Sequence, residues 1–446
     1  MNTNSRKTIY VINMSELLYP SYSQNLNKGV IQTIIQSDAD RAMLYGGHNK
    51  LVLTSLKIDD VLVKDINNIF GYKNSISLSP QNPSYSLSKD VIEQEEFFDR
   101  IQKWIGKTSP VYLIPYGASK EFFEMADFLK KKLPHVQFEL SESVERRDLF
   151  IRDYLDSKSG FKEIWNRSAK EIKTPFGFTC KDFEQVEEAA LYFYNHAIDF
   201  LIKKDTGVAG FGIERFDIFK YKTRDHLLRE LKKKCSDRLI WGMDKIIVEE
   251  LIPISPKILG GSPSIEYKIS KGKAHYEYFC PQILTSDGNF LGIEISKESE
   301  RNNFFEKIAR DSRLFANEIA HIGYMGVFDV DFVISQDNQT YAVESNTRRT
   351  GGTHVWEAAN YLLGKDRLGN YILFSNDSYD VPSVYKNYSK VRQKLLDLFY
   401  GTFGTHEGII VTRASGLRFG KLGYLCIARS KKRLICLNQE ITKRFH

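Results

Sequence analysis

Short apolar runs alternate with polar helical stretches through the first third of the chain. Three β-branched runs bounded by turn residues predict strands at 8–13, 50–55 and 111–116. Apolar residues at helical spacing predict helices at 90–106 and 119–133. Strand–helix alternation of this kind is typical of a small α/β domain with a parallel sheet. The stretch contains no phosphate-binding glycine fingerprint, so we expect no nucleotide loop within it.

A helical stretch at 146–165 leads into a second region, in which strands and helices follow one another irregularly. There the periodicity predicts strands at 200–204, 213–219 and 244–254, antiparallel strands within 264–284, and helices at 181–197, 222–235 and 299–323. The C-terminal part predicts a helix around 388–400 and then a β-rich stretch. We therefore expect an α/β fold that is α+β in its central part, and a chain of 446 residues suits two or three domains.

The net charge is small for this length but unevenly placed. It amounts to +7, and basic residues gather at 129–133, 231–235 and 429–433. We interpret these runs as solvated faces of helices and strands, with binding of nucleic acid or acidic lipid as the alternative. Aromatic residues are not interleaved with the basic ones, which disfavours a single-strand binder.

The cysteines and the N-terminal sequence indicate a cytoplasmic protein. The five cysteines are scattered and none forms a C-x-x-C pair, so we expect neither a zinc site nor a disulfide framework. We interpret them as small core residues in a reducing compartment. The N-terminal sequence has no apolar signal segment, and no window reaches 18 apolar residues.

The stretch YAVESNTRRTGG carries polar residues that core packing does not require. It follows an alternating strand, GVFDVDFVI, and the turn sequence QDNQ. If the turn closes with a two-residue loop at 337–338, Asp331 lies opposite Glu344 and Asp329 lies opposite Asn346.

Carboxylates opposed in this way repel each other unless a cation lies between them or one is protonated. Asp331, Glu344 and the amide oxygen of Asn346 are hard ligands of the kind that Mg²⁺ prefers, with phosphate oxygens completing its shell. Arg348 and Arg349 follow, and guanidinium groups bind phosphate or carboxylate in a bidentate manner. A solvated hairpin with ordinary surface acids is the alternative.

A lysine pair and a glycine-rich loop farther upstream would suit the phosphates of a nucleotide. Lys203 and Lys204 end a predicted strand, and Gly207, Gly210 and Gly212 follow. Glycines let backbone N–H groups turn toward an anion. The loop matches neither the Walker pattern nor the dinucleotide fingerprint, and a tight hairpin is the alternative.

The acidic pair in the strand IIVEELIPI is a third candidate. Val248, Glu249, Glu250 and Leu251 could form a hinge whose backbone amide and carbonyl read an adenine edge. An ordinary strand exit is equally open.

The order of these features resembles the ATP-grasp superfamily of carboxylate–amine ligases. Over about residues 165–360 the chain has a strand-end lysine, a glycine loop, a Glu-Glu hinge, and then Asp–x12–Glu–x–Asn followed by arginine. The sequences NTRRTGGTH and EGIIVTRASGLRFGKLGYLCIA look most like the pheganomycin-type peptide ligases. The resemblance implies a pre-ATP-grasp α/β domain at 1–150, a two-lobed ATP-grasp domain at 151–375 and a C-terminal cap domain at 376–446.

The resemblance also implies a role for each candidate residue. Lys203, beside Lys204, would contact the α- and β-phosphates of ATP, and Arg348 would steady an acyl phosphate. The other implied roles are a phosphate lid for Gly207, Gly210 and Gly212, an adenine hinge for Val248, Glu249, Glu250 and Leu251, and Mg²⁺ ligation by Asp331, Glu344 and Asn346, with Glu344 bridging two ions.

The implied activity is ADP-forming ligation of a carboxylate substrate, an amino acid or peptide, to an amine through an acyl phosphate, in peptide natural-product biosynthesis. ATP and Mg²⁺ are the implied cofactors. The implied partners are small-molecule or peptide substrates, without nucleic acid or membrane, and a homodimer is one option. A kinase that stops at a phosphorylated product and a non-catalytic ATP-binding scaffold are the alternatives. His354 follows a glycine turn, and we interpret it as structural rather than as a base for the amine.

Overall fold

The computed structural model describes residues 6–18, 28–206, 212–235, 245–286, 288–364 and 367–445. Within these residues the strands form three sheets. The helices, in chain order, are α1 (Met14–Leu18), α2 (Lys28–Ser37), α3 (Asp60–Phe70), α4 (Leu87–Glu93), α5 (Glu95–Ile105), α6 (Lys120–Lys132), α7 (Leu149–Asp156), α8 (Lys158–Ser168), α9 (Phe183–Asn195), α10 (Arg224–Lys234), α11 (Lys297–Glu300), α12 (Asn303–His321), α13 (Thr353–Leu363), α14 (Arg367–Asn370), α15 (Tyr388–Leu395) and α16 (Lys431–Phe445).

The first sheet is parallel, as the strand–helix alternation predicts. Its strands are β1 (Lys7–Val11), β2 (Lys50–Leu53), β3 (Ser75–Leu78), β4 (Val111–Pro115) and β5 (Phe138–Leu140). They lie in the order β3-β2-β1-β4-β5, and each adjacent pair is parallel. The periodicity missed β3 and β5, which have only four and three residues and therefore show too little of an alternating pattern.

The second sheet is a four-stranded antiparallel one with helices on one face. Its strands, in the spatial order β6-β9-β7-β8, are β6 (Gly177–Cys180), β9 (Ile246–Glu250), β7 (Phe200–Lys204) and β8 (Ile213–Phe216). Phe193 of α9 and Leu227 of α10 pack with Val248 in one core. Because side chains alternate along a strand, Lys203 and Glu249 lie on the face away from these helices.

The third sheet has eight strands and carries the predicted hairpin at one edge. In spatial order they are β14 (Thr340–Asn346), β13 (Gly326–Ile334), β10 (Pro263–Ser270), β11 (Lys273–Leu284), β12 (Phe290–Ile295), β15 (Ile372–Asp380), β17 (Lys421–Ala428) and β16 (Gly408–Arg413). The long helix α12 packs against β10 and β11. The β-rich C-terminal stretch thus extends this same sheet, and α16, which the periodicity missed, packs against β17.

The predicted fold class is confirmed: a small parallel-sheet part is followed by an α+β part. The boundaries at 150 and 375 remain predictions. The lysines within 129–133 are exposed and the flanking leucines buried, as a solvated helix face requires. Four cysteines are buried as expected, but Cys436 is exposed on α16, so the core interpretation is wrong for that residue. In the described residues, every helix is too short or too polar to cross a membrane.

Candidate active site

The hairpin of β13 and β14 brings four polar side chains together in the predicted register. Asp331 pairs with Glu344, and Asp329 pairs with Asn346. Because paired residues on adjacent strands point to the same face, these four side chains form one cluster. We call it the acid cluster below.

The loop that closes this hairpin is longer than predicted. The Ser335 amide donates to the Gln339 carbonyl at 2.8 Å, and Asn338 has a φ of 63°. The loop therefore has three residues, 336–338, and the two-residue loop is wrong. Its last residue adopts the left-handed conformation that asparagine tolerates.

A β-bulge compensates for the longer loop. The pairing shifts between Asp331–Glu344 and Phe332–Ala342, which leaves Val343 as the extra residue on β14. Ala342 is buried, whereas Val343 and Glu344 both line the adjacent cleft. The bulge therefore restores the predicted register at the acid cluster and turns Glu344 out of the core.

The two aspartates of the acid cluster have no cationic partner within ion-pair distance in the described part of the chain. The Asn346 amide donates to Asp329 Oδ1 at 2.9 Å and to Asp331 Oδ2 at 3.2 Å, and Gln282 donates to Asp331 Oδ1 at 2.5 Å. Burial, together with Asp329 and Glu344, raises the pKa of Asp331 well above its usual value. Burial raises the pKa of Asp329 to about 7, with a contribution from Glu266. Acidic groups are thus held close together where burial disfavours their charged forms.

The chemistry of these donors fits a hard divalent cation. No group of three histidine, cysteine or acidic side chains among the described residues is arranged to hold a metal alone. The predicted set contains two acids and an amide, so other oxygens would have to complete the shell. The Asn346 oxygen accepts from Arg348 at 2.6 Å, so ligation by Asn346 requires its amide to turn over.

The adjacent residues Arg348 and Arg349 contact different groups. Arg348 Nη1 donates to Asp156 at the end of α7 at 2.6 Å, which holds its guanidinium beside the acid cluster. Arg349 instead donates to Glu142 at 2.6 Å and forms an ion pair with Glu357. The two residues lie next to each other in sequence, but only Arg348 contacts the acid cluster.

Helix α8 supplies two lysines that sequence reasoning missed. Lys158 Nζ lies 3.2 Å from Glu344 Oε2 on the eight-stranded sheet. Lys162, one turn later, forms an ion pair with Glu249 on the four-stranded sheet. The signal that could have found them is the i,i+4 lysine spacing in a predicted helix just ahead of β6. Through these contacts α8 links the acid cluster to the second sheet.

Glu249 is held between two ammonium groups. Lys203 and Lys162 both form ion pairs with it. Burial alone would raise the pKa of Glu249, but the two lysines outweigh burial and hold it below the usual value. Burial lowers the pKa of Lys162, and the nearby ammonium group of Lys203 adds to the effect, while Glu249 opposes it.

Part of the backbone of the predicted hinge segment is already hydrogen-bonded to neighbouring segments of the chain. The Glu250 amide donates to the Phe176 carbonyl at 2.9 Å, and the Leu251 amide donates to the Asp199 carbonyl at 2.8 Å. The side chain of Val248 lies in the core of the second sheet. The Ile252 amide, one residue farther, has no hydrogen-bond acceptor in the described ranges.

The two lysines at the end of β7 have different surroundings. Lys203 reaches Glu249, whereas Lys204 lies against the start of the next strand. There Gly212 has a φ of 74°, its carbonyl accepts from the Lys204 amide at 3.1 Å, and a Cβ on it would lie 3.0 Å from Lys204 Cγ. Gly207 and Gly210 lie outside the described residues.

A cleft of about 350 Å³ opens over the acid cluster. Its lining includes the charged Arg348 and Glu344 and also the apolar Met14, Ile35 and Phe290. The cleft therefore offers apolar surface next to charged groups.

His354 does not reach this cleft. It is fully buried, and its Nε2 lies 3.5 Å from Asp377 Oδ1. Burial, together with Arg41, lowers the pKa of His354 well below its usual value. This agrees with a structural role.

No protein-family model matches the chain, and no curated protein matches its sequence. Solved structures match over nearly the whole chain. N5-carboxyaminoimidazole synthetase from Staphylococcus aureus has 13% identity and a TM-score of 0.52, with 100% of both chains covered. Biotin carboxylase from Campylobacter jejuni has 11% identity and a TM-score of 0.56, with 98% of this chain and 90% of that chain covered.

The biotin carboxylase domain of 2-oxoglutarate carboxylase from Hydrogenobacter thermophilus has 13% identity and a TM-score of 0.52, with 97% of this chain and 89% of that chain covered. At such identities the likeness is one of fold. The chain therefore has the fold of the ATP-grasp enzymes.

Proposed function

We propose that this protein is an ADP-forming, ATP-dependent ligase that joins a carboxylate to an amine. The observation that carries the proposal is the pairing of Asp331 with Glu344 beside Lys158 and Arg348, at the edge of a cleft. The fold supports it, because structures with this fold were solved with ADP, with MgADP and as a β-gamma-ATP complex. We therefore propose ATP and Mg²⁺ as the cofactors.

The nucleotide lies, in this proposal, between the second and third sheets. Lys203 and Lys162 both pair with Glu249 of the second sheet, and Lys158 pairs with Glu344 of the third. Three ammonium groups are thus available to bind phosphate oxygens. We assign Lys203 rather than Lys204 to the phosphates, since Lys204 lies against Gly212. The glycines of 207–212 would form the lid.

We place adenine recognition at the Val248–Leu251 hinge and add Ile252 to it. The Ile252 amide is the donor that sheet pairing leaves available on this segment. An adenine ring nitrogen would supply an acceptor for this amide.

The metal would be held by Asp331, Glu344 and Asn346. Bound Mg²⁺ would neutralise the charge of these acids and of the phosphates. Strand pairing already places Asp331 and Glu344 opposite each other, whereas the Asn346 amide would have to turn over to offer its oxygen to the metal. Preorganisation of the two carboxylates limits rearrangement during the reaction.

The proposed reaction has two steps. A substrate carboxylate attacks the γ-phosphate of ATP, which gives an acyl phosphate and ADP. An amine then attacks the acyl carbon and expels phosphate, which leaves an amide. Arg348, fixed by Asp156, would stabilise the charge on the acyl phosphate, and the closed cleft would exclude water from it.

The narrower proposal is a peptide ligase of peptide natural-product biosynthesis. It is supported by the resemblance of NTRRTGGTH and of the C-terminal stretch to the pheganomycin-type ligases. Apolar residues beside the acid cluster, such as Met14 and Phe290, would suit an amino acid or peptide acid with a non-polar side chain.

Trapping of the acyl phosphate tests the proposal. Purified protein is incubated with Mg²⁺, ATP and a panel of amino acids and short peptides, and then with hydroxylamine. We expect ADP release and a hydroxamate with at least one acid. Transfer of phosphate to an acceptor without any hydroxamate would indicate a kinase, and an absence of acid-dependent ADP release across the panel would contradict the ligase.

A further inference from the structure

A second cavity, of about 410 Å³, lies beside the acid cluster. Glu266 on β10 lines it and is the cross-strand neighbour of Asp329, so the cavity and the acid cluster share one face of the eight-stranded sheet. Tyr10 and Gly46 of the parallel-sheet part line another side. A volume of this order suits a small-molecule site. The proposed reaction leaves this cavity unused.

The walls of the cavity carry more negative than positive charge. Four glutamates line it: Glu142, Glu266, Glu277 and Glu357. Lys268 and Arg349 both form ion pairs with Glu142, and Arg349 also forms one with Glu357. These two cations therefore balance only part of the negative charge.

The remaining two glutamates have no ion-pair partner in the parts of the chain that the structure describes. Glu266 is only 1% exposed. Its Oε2 accepts from Tyr278, Thr350 and Thr353, while its Oε1 has no hydrogen-bond donor among the described residues. Oε1 is therefore open to the cavity. Burial raises the pKa of Glu266 to about 8, and a cation in the cavity would favour its ionised form. Its position on the cavity wall points to a cationic ligand.

Aromatic rings complete the walls. Trp356, Tyr10 and Tyr361 line the cavity, and the Trp356 indole donates to Glu277 Oε2 at 2.6 Å. Ring faces attract ammonium groups, and the attraction grows where water is excluded. Carboxylates and rings together form a surface suited to an organic cation rather than to a bare metal ion.

We propose that this cavity binds the amine substrate as its ammonium ion, and that a carboxylate of the cavity wall accepts its proton before the free amine attacks the acyl carbon. That the ligand is a substrate rests on the proposed ligase function. The second arginine of the TRRTGG stretch then also has a role, because Arg349 holds Glu142 and Glu357 at the cavity wall. Arg348 contacts the reacting acid, whereas Arg349 shapes the amine site.

Binding of 1,5-diaminopentane, measured by calorimetry without ATP, tests this site against its neutral analogue 1,5-pentanediol. We expect the wild-type protein to bind the diamine and not the diol. Glu277→Gln keeps an acceptor for the Trp356 indole but removes the charge, so it should weaken diamine binding about tenfold or more. Glu294→Gln, at a glutamate paired with Lys431 elsewhere on the sheet, should bind as the wild type does.

A second pair of variants avoids any change in the cavity core. Asn360 is exposed at the cavity and Asn68 is exposed on α3. Asn360→Lys adds a competing cation and should weaken diamine binding, whereas Asn68→Lys should not.

Equal binding of diamine and diol, no diamine binding by the wild type, or unchanged affinity in Asn360→Lys and Glu277→Gln would overturn the amine site. Because the measurement needs no ATP, diamine binding by a protein without acid-dependent ADP release would contradict the ligase and leave the cation site standing.

Discussion

Glu344 on β14 lies 3.2 Å from Lys158 Nζ and directly opposite Asp331 on β13. Its side chain is 34% exposed to the cleft, so little packing depends on it. A side chain in such a position can be removed without loss of the fold.

We predict that Glu344→Ala reduces ATP turnover by at least about 100-fold, as expected for loss of one preorganised charge. The free energy of unfolding should change by less than about 1 kcal/mol. Phosphate release and urea unfolding measure the two quantities. Glu298→Ala, at an exposed glutamate, is the control. Wild-type turnover in Glu344→Ala would contradict the site assignment.

Arg348 is more deeply embedded than Glu344. Its guanidinium donates to Asp156 and Asn346, both at 2.6 Å. The pKa of Asp156 is held below its usual value by Arg348 and Arg152, which together outweigh its burial. We therefore expect removal of the Arg348 side chain to affect the stability of the fold as well as the proposed reaction.

We predict that Arg348→Ala spares nucleotide affinity and impairs amide formation. It should also destabilise the fold by about 1–3 kcal/mol, because Asp156 loses a charged donor. ADP titration, hydroxamate formation and urea unfolding separate the three effects. A large loss of ADP affinity with normal turnover at saturation would contradict the assigned role.

At the scale of elements, the register of the β13–β14 hairpin depends on two irregularities. A three-residue loop shifts the pairing, and the bulge at Val343 shifts it back. The edge position of β14 makes the bulge tolerable, since only β13 pairs with it along its length and the other side has a single bridge from Lys173 to Tyr341.

Deletion of Val343 tests this account. The shortened hairpin would be regular, with Glu344 still opposite Asp331 and Ala342 still opposite Phe332. We predict ATP turnover within about tenfold of wild type, which corresponds to about 1.4 kcal/mol. Turnover as low as that of Glu344→Ala would show that the bulge itself positions the carboxylate.

Helix α8 and strand β9 depend on each other through Glu249. Glu249→Gln would leave Lys162 and Lys203 buried without a counter-charge, so we predict a loss of about 3–5 kcal/mol at pH 7. The folded pKa of Glu249 lies below its ordinary value of 4.5. Its ion pairs therefore stabilise the protein above that value, and the contribution disappears as the pH falls through the folded pKa.

The difference in unfolding free energy between wild type and Glu249→Gln should accordingly shrink below about pH 4. Urea unfolding at pH 7 and at lower pH measures it. A difference that stays constant with pH would mean that Glu249 is not ionised in the folded protein.

At the scale of the whole molecule, the C-terminal strands are part of the main sheet. β15 pairs with β12, and β17 pairs with β15. Residues Ile409 and Cys426 share one buried core with Val355 of α13. Arg413 also forms an ion pair with Asp38 in the parallel-sheet part.

We predict that a chain ending at residue 375 does not fold cooperatively. It would lack β16, β17 and most of β15, and would expose the core beneath them. Dye binding and thermal unfolding measure this. A soluble fragment with a sharp transition would instead support the separate cap domain predicted at 376–446.

The sequence by itself determined the features that depend on chain neighbours. Alternation along β13 and the turn after it placed Asp331 opposite Glu344, even though the loop and the bulge were both missed. The two errors cancelled because the longer loop and the bulge each shift the strand register by one residue, in opposite directions. Apolar periodicity also placed Lys203 and Glu249 on strands, whereas the pairing of those two strands appeared only in the structure.

Only the tertiary structure decided which distant residues meet. Lys158 and Lys162 contact two different sheets. The spacing of residues along one helix cannot reveal which sheets that helix packs against. Glu142, Glu266 and Glu357 lie far apart in the chain, yet they line one cavity. Contacts of this kind follow from how whole elements pack, and packing depends on burial summed over the entire molecule rather than on any single stretch.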